Sequence, residues 1–473
     1  MMNSVHKVFL YCILISSDII AQNFSTPLDN KFDIGEKSLN ILNDNGLDVF
    51  FKKLDSLDRK LIDNVSILHI GDSHLQAGFG SNETRKLLQL RFGNSGQGLV
   101  FPYKVAKTNS PPDSYSFSNS EWDSFKISKS HSSKYETGVN GYSIVTKDTS
   151  AILKLSVNPK DSLDYSFDKV TVFHPYPASD FNYDISHHDN REVLEESVHN
   201  MTQFNYKVKR GDYLGKIAEE FDTSVSEIKK LNGLQGNFIY ENQILIVLKK
   251  DRYSEPVNGL EFTSIVNSRI DFDYHSEFIL DSLKEYMFIK NLSSLKTPSL
   301  QINGISLEKL NAPGVLYHMI GVNGATFEDY YTSELFFKQL NHLKPDLIIV
   351  SLGTNEVSNN KSDIEEDIGL LINKLYQSTH RHFSILLTTP LDYKRKSALA
   401  FNLSNQILNY INTHDLPCIN FYDLFGGQGA MLQLQQLELA QSDGIHLTAK
   451  GYKLQGYLLA SALLEAFDNC NDD

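Results

Sequence analysis

The segment VSILHIGDSH, residues 65–74, decides how the rest of the chain is interpreted. Its first six residues form a largely apolar, β-branched run that is typical of a buried strand. The tight turn Gly71-Asp72-Ser73-His74 follows, and Glu83–Phe92 then has a helical pattern. Strand, tight turn and helix form the arrangement that presents a nucleophile at the carboxyl end of a strand. By itself the turn is a weak motif, because such residues often occur in turns with only a structural role.

Two later segments repeat the pattern of an apolar strand that ends in small or polar residues. Leu347–Leu352 runs into Gly353-Thr354-Asn355-Glu356, and Phe383–Thr388 ends at Pro390. Segments with helical periodicity accompany these strands, at 47–54, 83–92, 363–376, 398–411 and 450–467. Buried strands that alternate with helices predict an α/β fold whose parallel sheet is covered by helices on both faces.

Length and composition limit the function classes. The chain has 473 residues, which predicts about two to four domains, and its 41% hydrophobic and 22% charged residues are ordinary for a globular protein. The net charge of −14 argues against a protein that neutralises nucleic-acid phosphates or anionic lipid headgroups, because both tasks need a basic surface. A neutral carbohydrate or a peptide is a better partner for such a chain.

Residues 1–21 predict a secretory signal peptide. His6 and Lys7 precede the apolar run Val8–Ile15, and Ala21 is a candidate cleavage position. The run is shorter than the about 20 residues that span a bilayer, so a retained transmembrane anchor is the less favoured alternative. We therefore expect an exported protein that is periplasmic, associated with the cell envelope or secreted.

Neither the cysteines nor the histidines predict a metal site. Three cysteines are too few for a disulfide scaffold or a structural zinc site. Cys12 lies in the apolar run without a convincing lipobox, and whether Cys418 and Cys470 pair is left open by the sequence. The pair His187-His188 lies beside Asp184 and Asp189 but lacks a spaced third ligand, so we interpret it as a polar loop.

Residues 111–310 differ in composition and periodicity from the segments on either side. They are rich in Ser, Asn and Pro turns and contain runs of period-two alternation, at 151–157, 169–173, 276–280 and 285–289. The pattern predicts an antiparallel β-rich module that interrupts the α/β domain. A set of long structured loops is the alternative, which an interruption of this length disfavours.

A separate unit lies inside this module, at residues 204–248, with the pattern of a strand, two short helices and a closing strand. Its landmarks in chain order are Tyr206, Val208, Gly211-Asp212, Leu214, Ile217-Ala218, Phe221, Val225, Ile228, Leu231-Asn232, Gln243 and Leu245. In their number and order these landmarks resemble a LysM domain. The resemblance implies binding of glycans that contain N-acetylglucosamine, such as peptidoglycan, with candidate contacts at Tyr206, Gly211, Asp212 and Asn232.

The charge of this unit agrees with a sugar ligand. Six basic and six acidic residues cancel within 204–248, which suits hydrogen bonding and apolar contact with sugar faces. A LysM fold that is kept only as a spacer is the alternative.

Four blocks in a fixed order give the first turn its significance. They are Gly71–Ser73, Gly321–Thr326, Gly353–Glu356 and Asp443–His446. This ordered set resembles the SGNH/GDSL hydrolase superfamily, whose members have a three-layer α/β/α fold. The resemblance implies a serine ester hydrolase that needs no metal and no organic cofactor.

The chemistry of ester hydrolysis explains the residue types. A serine hydroxyl becomes an effective nucleophile only when a base accepts its proton. We predict Ser73 as the nucleophile, His446 as the base and Asp443 as the carboxylate that orients the imidazole and stabilises its charged form. Gly444 permits a loop that turns the last two side chains inward.

The resemblance also implies an oxyanion hole, which supplies hydrogen-bond donors to the charge that develops during attack. Its members are the backbone N–H groups of Ser73 and Gly324 and the side-chain amide of Asn355. Gly324 is preferred to Gly321 because it directly precedes the small pair Ala325-Thr326.

Two residues depart from the familiar family pattern. His74 stands where the family motif has leucine, and Glu356 stands where an aspartate often follows the asparagine. A second imidazole beside Ser73 could be mistaken for the base, but a residue adjacent in sequence generally points to the opposite side of its turn. We therefore retain His446 as the base and predict that His74 is structural or faces the substrate.

Two further segments narrow the resemblance. Together with the GDSH turn, residues 91–102 and 426–431 resemble bacterial peptidoglycan O-acetylesterases, which carry a β-rich carbohydrate-binding insertion between the first two blocks. The resemblance implies removal of O-acetyl groups from a cell-wall glycan. The alternatives are an acetylesterase that acts on exopolysaccharide or plant polysaccharide, and a catalytically silent wall-binding protein. Sugar binding by the β-rich part and the oligomeric state stay open.

These patterns define the predicted domain organisation, in which the hydrolase domain and the insertion are each divided. The predicted parts are a signal peptide at 1–21, an N-terminal segment with the first part of the hydrolase domain at 22–110, the first part of the β-rich insertion at 111–203, the LysM domain at 204–248, the second part of the insertion at 249–310 and the second part of the hydrolase domain at 311–473.

Overall fold

A computed structural model of the chain describes residues 39–128, 134–157, 163–177, 183–186, 197–209, 212–221, 223, 225–234, 236–253, 264–292, 299–379 and 382–472. The predicted signal peptide, Gly211 and the His187-His188 pair lie outside these residues. The described strands are β1 Asn64–Gly71, β2 Gly96–Val100, β3 Ser114–Ser118, β4 Asp123–Lys126, β5 Tyr142–Thr146, β6 Ile152–Val157, β7 Phe167–Phe173, β8 Tyr183–Ser186, β9 Ser197–Lys207, β10 Ile244–Tyr253, β11 Val266–Asp271, β12 His275–Lys284, β13 Tyr286–Asn291, β14 Leu300–Ile302, β15 Gly304–Glu308, β16 Gly314–Gly321, β17 Leu347–Ser351, β18 Ser384–Thr388 and β19 Cys418–Ile419. The described α-helices are Asp48–Asp58, Ser73–Gln76, Phe79–Phe92, Leu214–Glu220, Val225–Asn232, Phe327–Tyr331, Glu334–Leu340, Thr354–Ser358, Glu365–Ser378, Ser397–His414, Phe421–Leu424, Ala430–Gln436 and Ala449–Asp472.

Five parallel strands form the central sheet, in the order β16-β1-β17-β18-β19. The three strands predicted at 65–70, 347–352 and 383–388 are present as β1, β17 and β18, and the two-residue strand β19 extends the sheet. Every residue of β16 and all but the first residue of β1 are buried. This burial is expected for a parallel sheet that is covered on both faces.

Two groups of helices, each packed among its own members, flank the sheet. One group contains Asp48–Asp58, Phe79–Phe92 and Ala449–Asp472, and the other contains Phe327–Tyr331, Glu334–Leu340, Glu365–Ser378 and Ser397–His414. Glycines allow the two longest members of the first group to touch, because a Cβ on Gly456 would lie 2.0 Å from the Gly80 carbonyl oxygen. The result is a three-layer arrangement of helices, sheet and helices.

The β-rich interruption predicted for residues 111–310 is present as three antiparallel sheets. Their strand orders are β11-β12-β7-β15-β2, β3-β6-β13-β8 and β14-β5-β4. The strand β2 lies in the segment that the sequence patterns place in the hydrolase domain, yet it pairs with β15 of the insertion. The insertion therefore incorporates chain from before its predicted start.

One hydrophobic core joins the central sheet to the insertion. Leu68 and Ile70 of β1 belong to the same buried cluster as Phe101, Tyr142 and Ile144. Burial of each such side chain contributes about 1.5–3 kcal/mol, so separation of the two parts would expose a large apolar area. The insertion is thus packed into the hydrolase domain rather than tethered to it.

The LysM unit has the predicted strand-helix-helix-strand order. Its strands β9 and β10 pair in antiparallel fashion and enclose the helices Leu214–Glu220 and Val225–Asn232. The buried side chains form a cluster of their own, which contains Tyr206, Val208, Leu214, Ile217, Ala218, Ile228, Leu245 and Val247. The unit therefore has its own small core.

The structure answers the open question about the two cysteines. Cys418 is buried in β19, Cys470 is exposed, and both thiols are free, so these two cysteines do not pair.

Among the described residues, no helix has the length and hydropathy needed to cross a membrane.

A buried ion pair connects the helix Phe79–Phe92 to the start of the insertion. The Arg85 guanidinium contacts the Asp113 carboxylate, and their side chains are only 3% and 7% exposed. Gln97 Nε2 also donates to Asp113 Oδ2, at 2.9 Å. Loss of the cation would leave the carboxylate buried without a charged partner, which is strongly destabilising.

We therefore expect Arg85→Met to lower the free energy of unfolding by about 3–5 kcal/mol in urea denaturation. The double variant Arg85→Met/Asp113→Asn should recover part of this loss, because it removes the unpaired charge. The matched control is Arg59→Met, since Arg59 pairs with Asp55 but its side chain is 68% exposed. Equal effects of Arg85→Met and Arg59→Met would contradict the prediction.

Candidate active site

The register of the central sheet brings three of the predicted blocks to one edge. Gly71, at the end of β1, pairs with Gly321 of β16 and with Ser351 of β17. Because neighbouring parallel strands end at the same edge of a sheet, the turns that follow these residues lie side by side. The turns carry the predicted nucleophile and both other predicted oxyanion donors.

Close backbone contacts explain the glycines at these strand ends. A Cβ on Gly71 would lie 3.0 Å from the Ser351 carbonyl oxygen, and a Cβ on Gly321 would lie 2.2 Å from the Gln76 backbone nitrogen. Gly321 is therefore a packing glycine against the helix Ser73–Gln76, which accounts for its position in the second block without an oxyanion role.

The structure places the three predicted catalytic side chains in one hydrogen-bond chain. Ser73 Oγ lies 2.9 Å from His446 Nε2, and His446 Nδ1 lies 2.7 Å from Asp443 Oδ2. With the proton on Nδ1 directed to the carboxylate, Nε2 is the nitrogen that can accept the serine proton.

The loop that carries Asp443 and His446 is fixed by its own backbone. Asp443 Oδ1 accepts hydrogen bonds from the N–H groups of Ile445 and His446, at 2.9 and 3.0 Å. Gly444 has a φ of +73°, and a Cβ there would lie 2.6 Å from Lys394 Cβ. The expectation that Gly444 permits this loop thus has a direct geometric reason.

The electrostatics of the pair favour a charged carboxylate and a basic imidazole. Burial opposes protonation of His446, but the hydrogen bond and charge of Asp443, with the charge of Asp72, outweigh burial and raise the pKa of His446 above 6.5. Burial also opposes the charged form of Asp443, yet hydrogen bonds from His446 and from two backbone N–H groups lower the pKa of Asp443.

His74 contacts the predicted base rather than the nucleophile. Its ring stacks on the His446 ring with centroids 5.1 Å apart and an angle of 30° between the planes. Its Nδ1 lies 3.3 Å from the Tyr452 hydroxyl oxygen. Burial, and then the neighbouring His446, lower the pKa of His74 to about 3, so this ring stays neutral where His446 titrates.

Asn355, in the turn that follows β17, contacts the turns that follow β1 and β16. Its Nδ2 donates to the Ala325 carbonyl oxygen at 2.8 Å and, over a longer distance of 3.3 Å, to Asp72 Oδ2. Asp72 Oδ1 accepts from the His74 backbone N–H at 2.9 Å. Burial raises the pKa of the Asp72 carboxyl to about 6, although the hydrogen bond from the His74 backbone and the charge of His446 act in the opposite direction.

Gly324 follows a residue whose position is fixed by hydrogen bonds. Gly324 is exposed and has a φ of +85°, in the left-handed region that favours glycine. The preceding Asn323 donates its backbone N–H to Gln76 Oε1 at 2.7 Å. Gln76 ends the helix that begins at Ser73, so the nucleophile turn and the Gly324 turn are directly connected.

Glu356 has a positioning role that its sequence pattern did not reveal. Its Oε1 accepts a hydrogen bond from the Phe327 backbone N–H at 2.8 Å. This bond connects the Asn355 turn to the start of the helix Phe327–Tyr331, which follows Gly324. Burial raises the pKa of Glu356 to about 8, so the carboxyl is largely protonated at neutral pH. No local sequence signal could have identified this role, because the partner Phe327 lies 29 residues away in the chain.

Three of the four LysM residues proposed to contact glycan make internal hydrogen bonds. Asp212 Oδ2 accepts from the Tyr206 hydroxyl and the Lys209 backbone N–H, both at 2.7 Å. Asn232 bonds the backbone of Ile246 in both directions, at 2.7 Å each. These contacts hold the unit together, while the fourth candidate, Gly211, lies outside the described residues.

Metal binding has no candidate site in the part of the chain that the structure describes. No group of three or more His, Cys, Asp or Glu side chains there could hold a metal ion.

Two domain families match this chain. Residues 206–247 match the LysM domain, and residues 295–459 match the GDSL-like Lipase/Acylhydrolase family. The chain contains a LysM domain and a GDSL-like acylhydrolase domain. The GDSL-like match covers the segment that supplies Asn355, Asp443 and His446. Ser73 lies before the insertion, in the helix that follows β1 of the central sheet.

The chain also matches individual proteins, in sequence or in fold. The probable peptidoglycan endopeptidase LytE of Bacillus subtilis (strain 168) is 57% identical over 42 residues, which are 9% of this chain and only 13% of that protein. A solved peptidoglycan O-acetylesterase structure matches with a TM-score of 0.61 over 91% of this chain and 100% of that chain, at 17% identity. The lipase/acylhydrolase from Enterococcus faecalis matches with a TM-score of 0.26 over 32% of this chain and 76% of that chain, at 22% identity.

The comparisons bear on two predictions. The match over 91% of the chain confirms the predicted α/β fold, and the family match at residues 206–247 confirms the LysM unit. The predicted class of the hydrolase domain, an SGNH-type ester hydrolase, is confirmed by the GDSL-like family match.

The charge of Asp443 should determine the acid limit of activity. His446 must be unprotonated to act as a base, so kcat/KM should fall as the pH falls through its raised pKa, with a midpoint above 6.5. Asp443→Asn removes the charge that outweighs the burial of His446, so the pKa of His446 and the midpoint should move to lower pH. The maximal rate should fall by roughly 10³- to 10⁴-fold. The check is kcat/KM for p-nitrophenyl acetate against pH, and an unmoved midpoint would contradict it.

Proposed function

We propose that this chain is a serine esterase that removes O-acetyl groups from a cell-wall glycan, with peptidoglycan as the favoured substrate. The observation that carries the proposal is the hydrogen-bond chain from Asp443 through His446 to Ser73, with 2.7 and 2.9 Å between the heavy atoms. Such a chain of carboxylate, imidazole and hydroxyl is the arrangement that activates serine for acyl transfer. Its place in a GDSL-like acylhydrolase domain supports an ester as the bond that is attacked.

The proposed reaction has two halves. Ser73 Oγ attacks the acetyl carbonyl while His446 Nε2 takes its proton, and the tetrahedral intermediate expels the sugar oxygen, which receives that proton. Water then attacks the acetyl-Ser73 ester, with His446 again accepting the proton, and acetate leaves as Ser73 Oγ is reprotonated. Asp443 stabilises the imidazolium in both halves.

Three donors are proposed for the oxyanion. Ser73 is the first residue of its helix, so its N–H has no acceptor within that helix. Gly324 supplies a second backbone N–H. Asn355 supplies a side-chain N–H by exchanging its long contact with Asp72 for the oxyanion, and a bond that forms only in the transition state raises kcat rather than affinity.

A cell-wall substrate is supported by the domain that accompanies the esterase. The LysM domain favours a glycan that contains N-acetylglucosamine, and both the LytE relative and the solved O-acetylesterase are named for peptidoglycan. Export through the segment 1–21 would bring the enzyme to such a polymer. The alternatives are acetylated exopolysaccharide or plant polysaccharide as substrate, and a silent wall-binding protein, which the complete hydrogen-bond chain disfavours.

Aromatic side chains on the LysM surface are the proposed sugar contacts. Phe238 and Tyr240 are 78% and 74% exposed, whereas Ile239 between them packs against the LysM core. Exposed aromatic rings stack on the apolar faces of sugars. They add to the candidate contacts Tyr206, Asp212 and Asn232, whose side chains also bond within the unit. The proposed stacking contacts therefore lie in the segment before β10.

The proposal predicts acetate release that depends on Ser73. Ser73→Ala should lower acetate release from O-acetylated peptidoglycan by about 10³-fold or more, because the nucleophile is lost. The matched control is Ser282→Ala, an exposed serine of β12 in the insertion, which should retain full activity. Equal release by wild type and Ser73→Ala would refute the esterase.

The substrate class is tested with the same pair of proteins. Acetate release from O-acetylated peptidoglycan, acetylated xylan and an acetylated bacterial exopolysaccharide would be compared at equal ester concentration. Preference for peptidoglycan supports the proposal, and preference for another polymer selects the corresponding alternative. Failure of a fluorophosphonate probe to label Ser73 in the folded protein would select the silent wall-binding protein.

The LysM assignment makes a separate prediction. Phe238→Ala/Tyr240→Ala should weaken retention on insoluble peptidoglycan by about tenfold, because two stacking contacts are lost. Hydrolysis of soluble p-nitrophenyl acetate should not change, since that ester does not need the LysM domain. Leu61→Ala serves as the control, because Leu61 is 72% exposed outside the LysM unit. Unchanged retention would exclude these rings as glycan contacts.

A further inference from the structure

The β-rich insertion contacts the turn that carries the proposed Gly324 donor. Lys126, the last residue of β4, donates from Nζ to the Asn323 carbonyl oxygen at 2.8 Å. Ser128 Oγ donates to the same oxygen at 3.2 Å. Two side chains of the insertion therefore converge on the single peptide group that joins Asn323 to Gly324.

Asn323 is also held from the hydrolase side. Its backbone N–H donates to Gln76 Oε1 at 2.7 Å, and its Nδ2 donates to Asn109 Oδ1 at 2.7 Å. The Tyr142 hydroxyl, from β5 of the insertion, donates to the same Gln76 oxygen at 2.8 Å. Asn323 is thus held at its N–H, its side chain and its carbonyl, and the insertion supplies the contacts at the carbonyl.

The insertion also packs tightly against this turn. Gly141 has a φ of +69°, and a Cβ there would lie 2.4 Å from Val322 Cγ2, directly before Asn323. The Gly141 carbonyl oxygen accepts the Ile127 backbone N–H at 2.8 Å, so the same residue supports the turn between Lys126 and Ser128. The convergence on Asn323 is therefore part of a close-packed contact.

The geometry of a peptide bond connects this contact to the oxyanion. In a trans peptide the C=O and the N–H point in opposite directions, so fixing the Asn323 carbonyl also fixes the direction of the Gly324 N–H. A charged donor on the carbonyl polarises the peptide, and hydrogen bonds in series strengthen one another. Gly324 lacks a side chain that could restrain its own conformation, so its N–H depends on such outside contacts.

We propose that Lys126 and Ser128 of the insertion are positioning residues for the oxyanion hole, so that the insertion and the hydrolase domain form one catalytic unit. The inference rests on the proposed ester hydrolysis. It differs from a sugar-binding role for the insertion, because loss of glycan binding affects only glycan substrates. Loss of oxyanion positioning affects every ester that Ser73 attacks.

The test is hydrolysis of p-nitrophenyl acetate, which contains no sugar. Lys126→Met retains the length of the side chain but removes the charged donor, and kcat should fall by about 10- to 100-fold while KM changes less than about twofold. Lys126→Arg keeps a charged donor and should recover part of kcat. Ser128→Ala should lower kcat less, because its hydrogen bond is longer and uncharged. Lys147→Met is the control, since Lys147 is exposed and follows β5 of the same sheet.

A second measurement separates positioning from folding. Phenylboronic acid forms a tetrahedral adduct with an active serine, so its affinity should fall in Lys126→Met in parallel with kcat, at an unchanged thermal midpoint. If Lys126→Met does not fold, the same comparison is made with Ser128→Ala and Lys126→Arg.

The outcomes distinguish the inference from the function on which it rests. Full activity of the Lys126 and Ser128 variants on p-nitrophenyl acetate, with activity lost in Ser73→Ala, would overturn the positioning role and leave the esterase standing. A defect confined to glycan substrates would overturn it in favour of sugar binding. Absence of hydrolysis by the wild-type protein, with no fluorophosphonate labelling, would overturn the esterase itself.

Discussion

The parallel register of β1 between β16 and β17 is the constraint on which the candidate site depends. It sets Gly71, Gly321 and Ser351 at one level, so that three turns from distant parts of the chain emerge together. The turns approach so closely that a side chain on Gly321 would collide with the Gln76 backbone, and one on Gly71 would lie only 3.0 Å from the Ser351 carbonyl oxygen. Any shift of register would separate the nucleophile turn from both neighbouring turns, since each strand residue advances about 3.3 Å.

The electrostatics around Ser73 divide the acidic groups by role. Asp443 is held in its charged form by hydrogen bonds and maintains the basicity of His446. Glu356 is buried, and its raised pKa of about 8 leaves it largely neutral at pH 7, where it accepts one backbone hydrogen bond. The stacked His74 ring stays neutral and adds no positive charge beside the base. One charged carboxylate beside His446, with neutral groups around it, lets His446 act as the base at neutral pH.

The β-rich insertion and the LysM unit inside it are physically different. The LysM unit has its own small core, as expected for a module that carries one binding function. The β-rich insertion shares its core with the central sheet and places Lys126 and Ser128 on the Asn323 carbonyl. An insertion packed in this way can influence chemistry at Ser73, whereas a module with a separate core acts mainly through location.

Sequence alone determined the elements whose signal is local. The apolar runs of β1, β17 and β18, the long helices, the LysM pattern and the four ordered blocks all lie within short windows, where side-chain periodicity and turn residues reflect burial and backbone geometry directly. Only the tertiary structure decided which groups meet. The partnership of Lys126 with Asn323, the role of Glu356, the pairing of β2 with the insertion and the inward bonding of Asp212 and Asn232 have no local pattern. The physical reason is that hydrogen-bond partners and pKa shifts depend on burial and packing between distant segments, which a short window of sequence does not contain.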